Sequence, residues 1–185
     1  AAELYHPLEN NHLRVADLVS AHNEHRILWT RLINLLAYRL NGGIWDPQLQ
    51  MVVGGVIHAL ALILLLASLR RELPEHLFGP LFLFSLFLLM PFGAENALWG
   101  FQSQFYFLLF FGLAGIRGTT ASAPLAAGWW LGFLALVAAF FSVASGFLAG
   151  AAVAACHALQ MLAQRHWSWR HAAAIGLLLA YILAA

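Results

Sequence analysis

The sequence predicts an all-α polytopic membrane protein, a bundle of about six transmembrane helices joined to one amphipathic helix that lies in the membrane interface. Of its 185 residues, 62% are hydrophobic and only 9% are charged, whereas soluble domains carry about 25% charged residues. The charged positions also separate apolar stretches of the ~20 residues that one membrane crossing needs. A net charge of +1 without any lysine gives no basic surface, which excludes a nucleic-acid-binding protein.

Residues 1–46 form the first predicted segment and are more polar than the rest of the chain. Within this segment, residues 27–40 carry a polar stripe at near-helical spacing, and the remaining positions are apolar. The stripe consists of Thr30, Arg31, Asn34 and Tyr38. Such an amphipathic helix lies on a membrane surface instead of crossing it. Asn41 to Gly43 ends this helix, and Trp45 is placed to anchor the following span at the interface.

The transmembrane bundle is predicted to cover residues 47–185, with its spans separated by charged residues, proline and glycine. The first span begins at Pro47, which suits the first turn of a helix, and contains no charge before Arg70. The uncharged stretch 118–164 is about twice the ~20 residues of one span, so it folds back, and the best turn is 142–146. The predicted spans are 47–69, 77–92, 96–116, 124–141, 147–164 and 171–185.

Arginine placement predicts the orientation of these spans. The arginines that fall on one predicted face of the bundle are Arg70, Arg71, Arg117, Arg165 and Arg170. Because positively charged loops stay on the cytoplasmic side, residues 1–46 and the turn at 142–146 are predicted to be extracytoplasmic.

The last predicted span is short. From His171 it gives roughly 22 Å of helix at ~1.5 Å per residue, whereas the hydrocarbon core is ~30 Å thick. We therefore expect a fragment of a longer protein, in which an upstream helix carries residues 1–46 across the membrane. A short or tilted last helix in a small subunit is the alternative.

Polar residues that can carry chemistry gather on the predicted outer face. The densest group is His22, Asn23, Glu24, His25 and Arg26, directly before the amphipathic helix. A carboxylate flanked by histidines can act as a general base or a metal ligand, and the simpler interpretation is a polar collar that orients the helix. A second group is Glu95, Asn96, Gln102 and Gln104. A helix N-terminus by itself explains Glu95, and a tight hairpin turn by itself explains Ser142 and Ser145.

Two histidines occur in the middle of predicted spans, His58 in the first and His157 in the fifth. Histidines at that depth can ligate haem or chlorophyll. They also form hydrogen bonds to neighbouring helices, which is the more common role. If the two rings faced each other, they would form a bis-histidine haem site.

The order of these segments, together with four short motifs, resembles a known superfold. The motifs are AHNEHRILWTRL (21–32), WDPQLQ (45–50), LWGFQSQFYF (98–107) and FSVASGFL (141–148). With a polar acidic outer segment, a surface helix and spans joined by short loops, the chain resembles the C-type (GT-C) membrane glycosyltransferases. It is also similar to uncharacterised bacterial integral membrane proteins that lie close to that superfold.

This resemblance implies the N-terminal portion of a glycosyltransferase that uses a polyprenyl-phosphate-linked sugar at the outer face of the bacterial inner membrane. It implies a catalytic base, or an acid that helps to bind a divalent metal, among Glu24, Asp17 and Glu9. The residues expected to bind the donor phosphate or the sugar are His22, His25, Arg26, Arg31, Glu95, Asn96 and Gln102. The chain departs from the family pattern because Glu9, Asn10 and Asn11 stand roughly where an aspartate pair is often found.

The alternative function is a non-catalytic subunit of a larger membrane complex, which would bind haem or chlorophyll through His58 and His157. The expected partners are membrane lipids and the lipid-linked sugar, with further subunits under this alternative. A transporter is disfavoured, because the second to fifth predicted spans contain no charged residue that could relay an ion.

Overall fold

The computed structural model describes residues 8, 10, 12–21, 25–70, 73–89, 102–164 and 168–184. These residues form eight α-helices and a short 3-10 turn, Ala144–Gly146, with no β-strand among them, so the all-α prediction is confirmed. In chain order the helices are α1 (Val15–Val19), α2 (Leu28–Leu40), α3 (Pro47–Leu69), α4 (Glu75–Leu89), α5 (Ser103–Ala121), α6 (Ala127–Phe140), α7 (Phe147–Gln164) and α8 (Trp169–Ala184).

Local sequence signals set the turn between α2 and α3. The backbone N–H of Asn41 donates to the carbonyl of Ala37 at 2.9 Å, and Gly42 and Gly43 then adopt φ values of +67° and +79°. Glycine enters this left-handed region without the penalty that a Cβ atom brings. Asp46 caps the next helix by accepting from the backbone N–H of Gln48 at 2.8 Å. A proline in the first turn completes a strong start signal for α3.

Helices α3 and α5 run side by side in the same direction. The His58 ring of α3 stacks on the Tyr106 ring of α5 with centroids 4.5 Å apart, and further along Arg117 donates to the carbonyl of Ala67 at 3.5 Å. Both helices therefore begin at one end of the bundle, which is also where α2 lies. We call this the α2 end, and we call the opposite end, marked by Arg70 and Arg117, the Arg117 end.

Helices α5 and α6 form an antiparallel pair held at very short range by glycine. A methyl group added at Gly118 would lie 2.7 Å from the Cα atom of Gly132. Closer to the α2 end, Gly115 lies directly against the side chain of Leu136. Small residues let two helix backbones approach each other in this way, so the α5–α6 contact depends on the absence of side chains.

Helices α6, α7 and α8 share one apolar core. Its fully or largely buried members are Trp129, Leu136, Val153, Ala154, Ala174 and Leu178. The Tyr181 hydroxyl of α8 donates to the carbonyl of Leu136 at 2.9 Å, which adds a polar tie across this core. Gly150 of α7 lies against the same tyrosine ring, and further along α7 the His157 ring meets His171 near the start of α8, so α7 and α8 also run antiparallel.

Two stretches of the described residues are long and apolar enough to cross a membrane, Pro47–Leu69 and Ala144–Ala163. The face of α3 away from the bundle is an exposed apolar stripe made of Val52, Val56, Leu60 and Ile63. Helices α6 and α8 have 14 and 16 residues, roughly 21 Å and 24 Å of helix at ~1.5 Å per residue, against a hydrocarbon core of ~30 Å. The structure thus indicates membrane association and leaves the six-span bundle unconfirmed.

Replacing Gly132 with alanine should destabilise the α5–α6 pair. The added methyl group would lie 2.5 Å from the backbone nitrogen of Thr119 and 2.9 Å from the Cα atom of Gly118, so the helices must move apart. Overpacking costs about 1–3 kcal/mol, and each kcal/mol lowers the melting temperature by about 2–4 °C in a protein of this size. Gly55→Ala is the matched control, because no atom lies within 4 Å of its added methyl group. Equal melting temperatures in detergent would contradict the close contact.

Candidate functional site

Several buried polar side chains from sequence-distant segments lie toward the α2 end. We call this group the polar cluster, and it consists of Thr30, Arg31, Gln50, Ser103, Gln104 and Ser142. Its members come from α2, α3, α5 and the turn that follows α6. Buried polar groups are normally paired with one another or held for a ligand. The hydrogen-bond partners of each side chain therefore show which residues hold the structure together and which could bind a ligand.

The first residues of α2 dock onto the last turn of α6. The backbone N–H of Leu28 donates to the carbonyl of Phe141 at 3.0 Å, and the indole N–H of Trp29 donates to the carbonyl of Ala138 at 2.8 Å. A helix leaves its first N–H groups and its last carbonyls without intrahelical partners. The start of α2 and the end of α6 therefore satisfy each other, which defines where α2 lies.

A hydrogen bond between two buried hydroxyls joins α2 to the start of α5. Thr30 Oγ1 lies 3.0 Å from Ser103 Oγ, and the two residues are 73 positions apart in the sequence. The Trp29 ring packs against Phe111 of α5 with centroids 5.0 Å apart. Thr30 belongs to the predicted polar stripe of this helix, whereas Ser103 is not among the predicted site residues. The position of Ser103 between Gln102 and Gln104 was the one available signal for it.

Arg31, predicted to bind a donor phosphate, holds α1 in place. Its Nη1 donates to the carbonyls of Leu18 and Ser20, at 3.2 Å and 2.5 Å, and contacts the Ser20 hydroxyl at 3.1 Å. A buried guanidinium requires acceptors for its N–H groups, and backbone carbonyls of the α1 region supply them. At least one nitrogen of Arg31 is therefore engaged in structure.

Asp17, one of the three predicted catalytic acids, serves as a helix cap. Its carboxylate accepts from the backbone N–H of Arg14 at 2.8 Å, and its own carbonyl accepts from the Ser20 hydroxyl at 2.9 Å. A carboxylate in the first turn of a helix is stabilising on its own account. Helix capping is therefore a sufficient role for the Asp17 carboxylate, and no catalytic role is needed to account for it.

Two glutamines at the start of α5 carry buried acceptors that have no partner among the described residues. The Oε1 atoms of Gln102 and Gln104 have no hydrogen-bond partner among the described residues, and Gln104 is only 5% exposed. An unsatisfied buried acceptor costs about 1–3 kcal/mol. These amides are therefore the members of this end of the molecule best suited to meet hydroxyl groups of a ligand.

His25 and Arg26 lie beside the same site. The Arg26 guanidinium sits over the Phe140 ring at 5.6 Å from its centroid, while the residue itself is exposed. The Nδ1 atom of His25 is buried without a partner among the described residues. An exposed arginine held on an aromatic ring is positioned to meet an anion.

The other predicted site residues lie outside the described residues. They are Glu9, His22, Glu24, Glu95 and Asn96. Within the part of the chain that the structure describes, no three histidine, cysteine, aspartate or glutamate residues are grouped so that they could hold a metal ion. The predicted acid nearest in sequence to the cluster is Glu24, which directly precedes His25.

The two mid-helix histidines do not face each other. His58 stacks on Tyr106 between α3 and α5, whereas His157 lies among α6, α7 and α8. The Nε2 atom of His157 accepts from the indole N–H of Trp129 at 3.3 Å. Because an indole N–H can only donate, the neutral His157 ring carries its proton on Nδ1. Neither nitrogen is then free to bind haem iron or a chlorophyll magnesium, so these residues do not fit a bis-histidine site.

Comparison of the chain with protein-family models, with curated proteins and with solved structures found no match. The functional interpretation therefore rests on the geometry of the chain itself.

A double-mutant cycle tests the Thr30–Ser103 contact. Thr30→Val leaves one buried hydroxyl without a partner and should cost about 1–3 kcal/mol of unfolding free energy. The Thr30→Val/Ser103→Ala variant removes both polar groups, so its cost should fall short of the sum of the single variants by ~1 kcal/mol. Denaturant unfolding in detergent measures these values. Ser68→Ala is the control, because that hydroxyl bonds the carbonyl of Leu64 in its own helix. Strict additivity would mean that the two hydroxyls are not coupled.

Proposed function

We propose that the chain is part of a multi-pass membrane glycosyltransferase that uses a polyprenyl-phosphate-linked sugar at the outer face of the bacterial inner membrane. In this proposal Gln102 and Gln104 bind the sugar at the α2 end. The observation that carries it is that buried hydroxyls, and two buried amide oxygens without a partner in the described part of the chain, lie at one end of an apolar bundle. A site for a lipid-linked polar substrate combines these features, because the lipid occupies the bilayer while the head group needs hydrogen bonds.

The exposed surface supports a position within the bilayer. Along α2 the exposed residues Leu32, Leu36 and Leu40 recur every fourth position and form one apolar stripe. The buried positions of the same helix are mainly polar, Thr30 and Arg31 among them. The helix thus turns its polar side to the protein and its apolar side outward, as expected of a helix that lies in the membrane interface. The exposed apolar stripe of α3 extends this surface.

Charge distribution supports the outer location of the polar cluster. Arg70 and Arg117 lie at the Arg117 end, and Arg170 at the start of α8 belongs to the same end. Arginine-rich ends stay in the cytoplasm. The sequence has five arginines on the predicted face that includes Arg117 and four in residues 1–46, so the proposal puts the α2 end on the opposite, extracytoplasmic side, with α3 to α8 crossing between the two ends.

The proposed reaction assigns sugar binding, phosphate binding and proton abstraction to four residues. Gln102 and Gln104 accept hydrogen bonds from sugar hydroxyls, and Arg26 binds the donor phosphate. Glu24 is the proposed base, since Asp17 is already engaged as a cap. Glu24 takes the proton of the acceptor hydroxyl as that oxygen bonds to the anomeric carbon, and the bond from that carbon to the phosphate oxygen breaks. The polyprenyl phosphate leaves with the electron pair.

A transfer assay with the purified protein and a polyprenyl-phosphate sugar tests this division. Glu24→Gln should lower kcat by about 10²–10⁴-fold, the usual contribution of a general base, and Gln104→Leu should raise KM because it removes a hydroxyl ligand. Glu75→Gln at the Arg117 end is the matched carboxylate control and should keep full transfer. Unchanged transfer in Glu24→Gln, Asp17→Asn and Glu9→Gln together would refute the proposal.

Labelling of single cysteines tests the orientation. In a Cys156→Ser background, Ala21→Cys near the α2 end and Ala123→Cys at the Arg117 end both replace exposed alanines. A membrane-impermeant maleimide should label position 21 in intact spheroplasts and position 123 only after permeabilisation. The reverse pattern would place the polar cluster in the cytoplasm and remove the basis for an outer active site.

A further inference from the structure

Contacts among α2, α3 and α5 show how far along the bundle α2 lies. A methyl group added at Gly54 of α3 would lie 3.9 Å from the Cβ atom of Ser103 at the start of α5. The Ser103 hydroxyl in turn bonds Thr30 of α2. Gly54 follows Pro47 by seven positions, so Thr30 lies roughly 10 Å along α3 from its first residue, at ~1.5 Å per residue.

The first residues of α2 lie further still from the start of α3. Leu28 bonds the carbonyl of Phe141, and the Trp29 ring packs on Phe111 of α5. Phe111 follows Ser103 by eight positions, which is roughly 12 Å of helix at ~1.5 Å per residue. The end of α6 and the start of α2 therefore both lie toward the middle of α3, whose 23 residues measure about 34 Å.

The other end of α2 lies beside the first turn of α3. Ala37 and Tyr38 of α2 line the same small crevice as Leu49 and Gln50 of α3. Only the short turn 41–46 then joins the two helices. The last residues of α2 are therefore level with the start of α3, whereas its first residues are level with the middle of α3, so α2 slopes across the end of the bundle.

The length of α3 converts this slope into a depth in the bilayer. This helix is long and apolar enough to cross a membrane, and its length of about 34 Å matches a hydrocarbon core of ~30 Å. Thr30 and Leu28 are then level with the hydrocarbon layer. The exposed stripe of Leu32, Leu36 and Leu40 rises through the same layer toward the membrane surface. Acyl chains of the lipids match such a stripe at that depth.

Charged and non-helical groups beside the start of α2 require water at the same depth. The exposed Arg26 guanidinium lies over the ring of Phe140, the last residue of α6. Arg31 bonds the carbonyls of Leu18 and Ser20 in the α1 region. An exposed charge is costly in hydrocarbon, and non-helical backbone occurs there only where protein buries it or where it lines a water-filled cavity. A water-filled recess beside the end of α6 meets both requirements.

We propose that α2 slopes from the membrane surface into the bilayer, with its leucine stripe among the acyl chains and its start facing a water-filled recess at the end of α6. The recess exists because α6 ends after 14 residues, about 21 Å of helix. Thr30 and Arg31 face the protein, so α2 separates lipid on one side from water on the other. This arrangement does not depend on sugar transfer, and a failed transfer assay would leave it intact.

Fluorescence quenching by brominated lipids tests the slope on the full chain in phosphatidylcholine nanodiscs. Leu32→Cys and Leu40→Cys, each in a Cys156→Ser background, carry a bimane label, and the two positions are separated by roughly 12 Å of helix. Bromines near the chain ends should quench position 32 more than bromines near the head group do, and position 40 should show the reverse.

Val52→Cys and Leu60→Cys are the matched control pair, because they have the same spacing on the exposed stripe of α3. Their quenching should differ in the same sense, with position 60 the deeper. Equal quenching ratios at positions 32 and 40 would mean that α2 lies flat in the interface. Equal ratios at positions 52 and 60 would mean that α3 does not cross. Either result would overturn the proposal.

Thiol modification in the same nanodiscs tests the recess. A membrane-impermeant methanethiosulfonate should modify Arg26→Cys at least about tenfold faster than Leu32→Cys, because the reagent attacks the thiolate, which forms in water and not among acyl chains. Ala21→Cys is a second exposed position beside Ser20 and should react equally fast, which keeps the test decisive if Arg26→Cys fails to fold. Reaction at positions 21 and 26 no faster than at position 32 would exclude water from the start of α2.

Discussion

The mutual capping of α2 and α6 is the interaction on which the α2 end depends. The last carbonyls of α6 and the first N–H group of α2 have no partners within their own helices, and they meet through Leu28 and Trp29. Each such group would cost about 1–3 kcal/mol if it were buried and unpaired. A single position of α2 therefore provides partners for the N-terminus of α2 and for the C-terminus of α6. The same position of α2 brings the Thr30 hydroxyl within hydrogen-bond distance of the Ser103 hydroxyl at the start of α5.

Close helix packing at the other end complements this contact. Gly118 and Gly132 let α5 and α6 approach until the backbones touch, and no side chain could be inserted there without moving the pair. The α6 helix then ends after 14 residues, so its terminal carbonyls lie where α2 can reach them. A longer α6 would bury those carbonyls within its own hydrogen-bond ladder and leave α2 without a docking site. Helix length and helix docking are thus coupled.

The two ends of the bundle carry different polar chemistry. Buried amides and hydroxyls lie at the α2 end together with Arg26 and Arg31, whereas Arg117 bonds the end of α3 at the opposite end. The indole N–H of Trp129 donates to Nε2 of the buried His157 ring and so sets the tautomer of that ring. The same hydrogen bond removes His157 from consideration as a haem or chlorophyll ligand. A histidine in the middle of an apolar helix is here a fixed donor.

The sequence by itself determined the all-α class and the positions of several helices. The bounds of α3 and α7 follow from local signals, namely Asp46 and Pro47 at the start of α3 and the Ser142 to Gly146 turn before α7. It also identified the polar residues from which the candidate site is built, including Gln102 and Arg31. The glycosyltransferase activity and the catalytic role of Glu24 stay predictions.

Only the tertiary structure decided what those polar residues do. Helical periodicity shows that Thr30 and Arg31 share a stripe, but it cannot show which neighbour the stripe meets. The rotation of α2 depends on carbonyls contributed by a helix more than 100 residues away. The approach of α5 to α6 depends on Gly118 and Gly132, and their regular spacing from other glycines in the sequence does not say which helix they face. Long-range packing decides which neighbour each helix face contacts. For this reason Arg31 bonds the carbonyls of the α1 region, and Ser103 bonds Thr30.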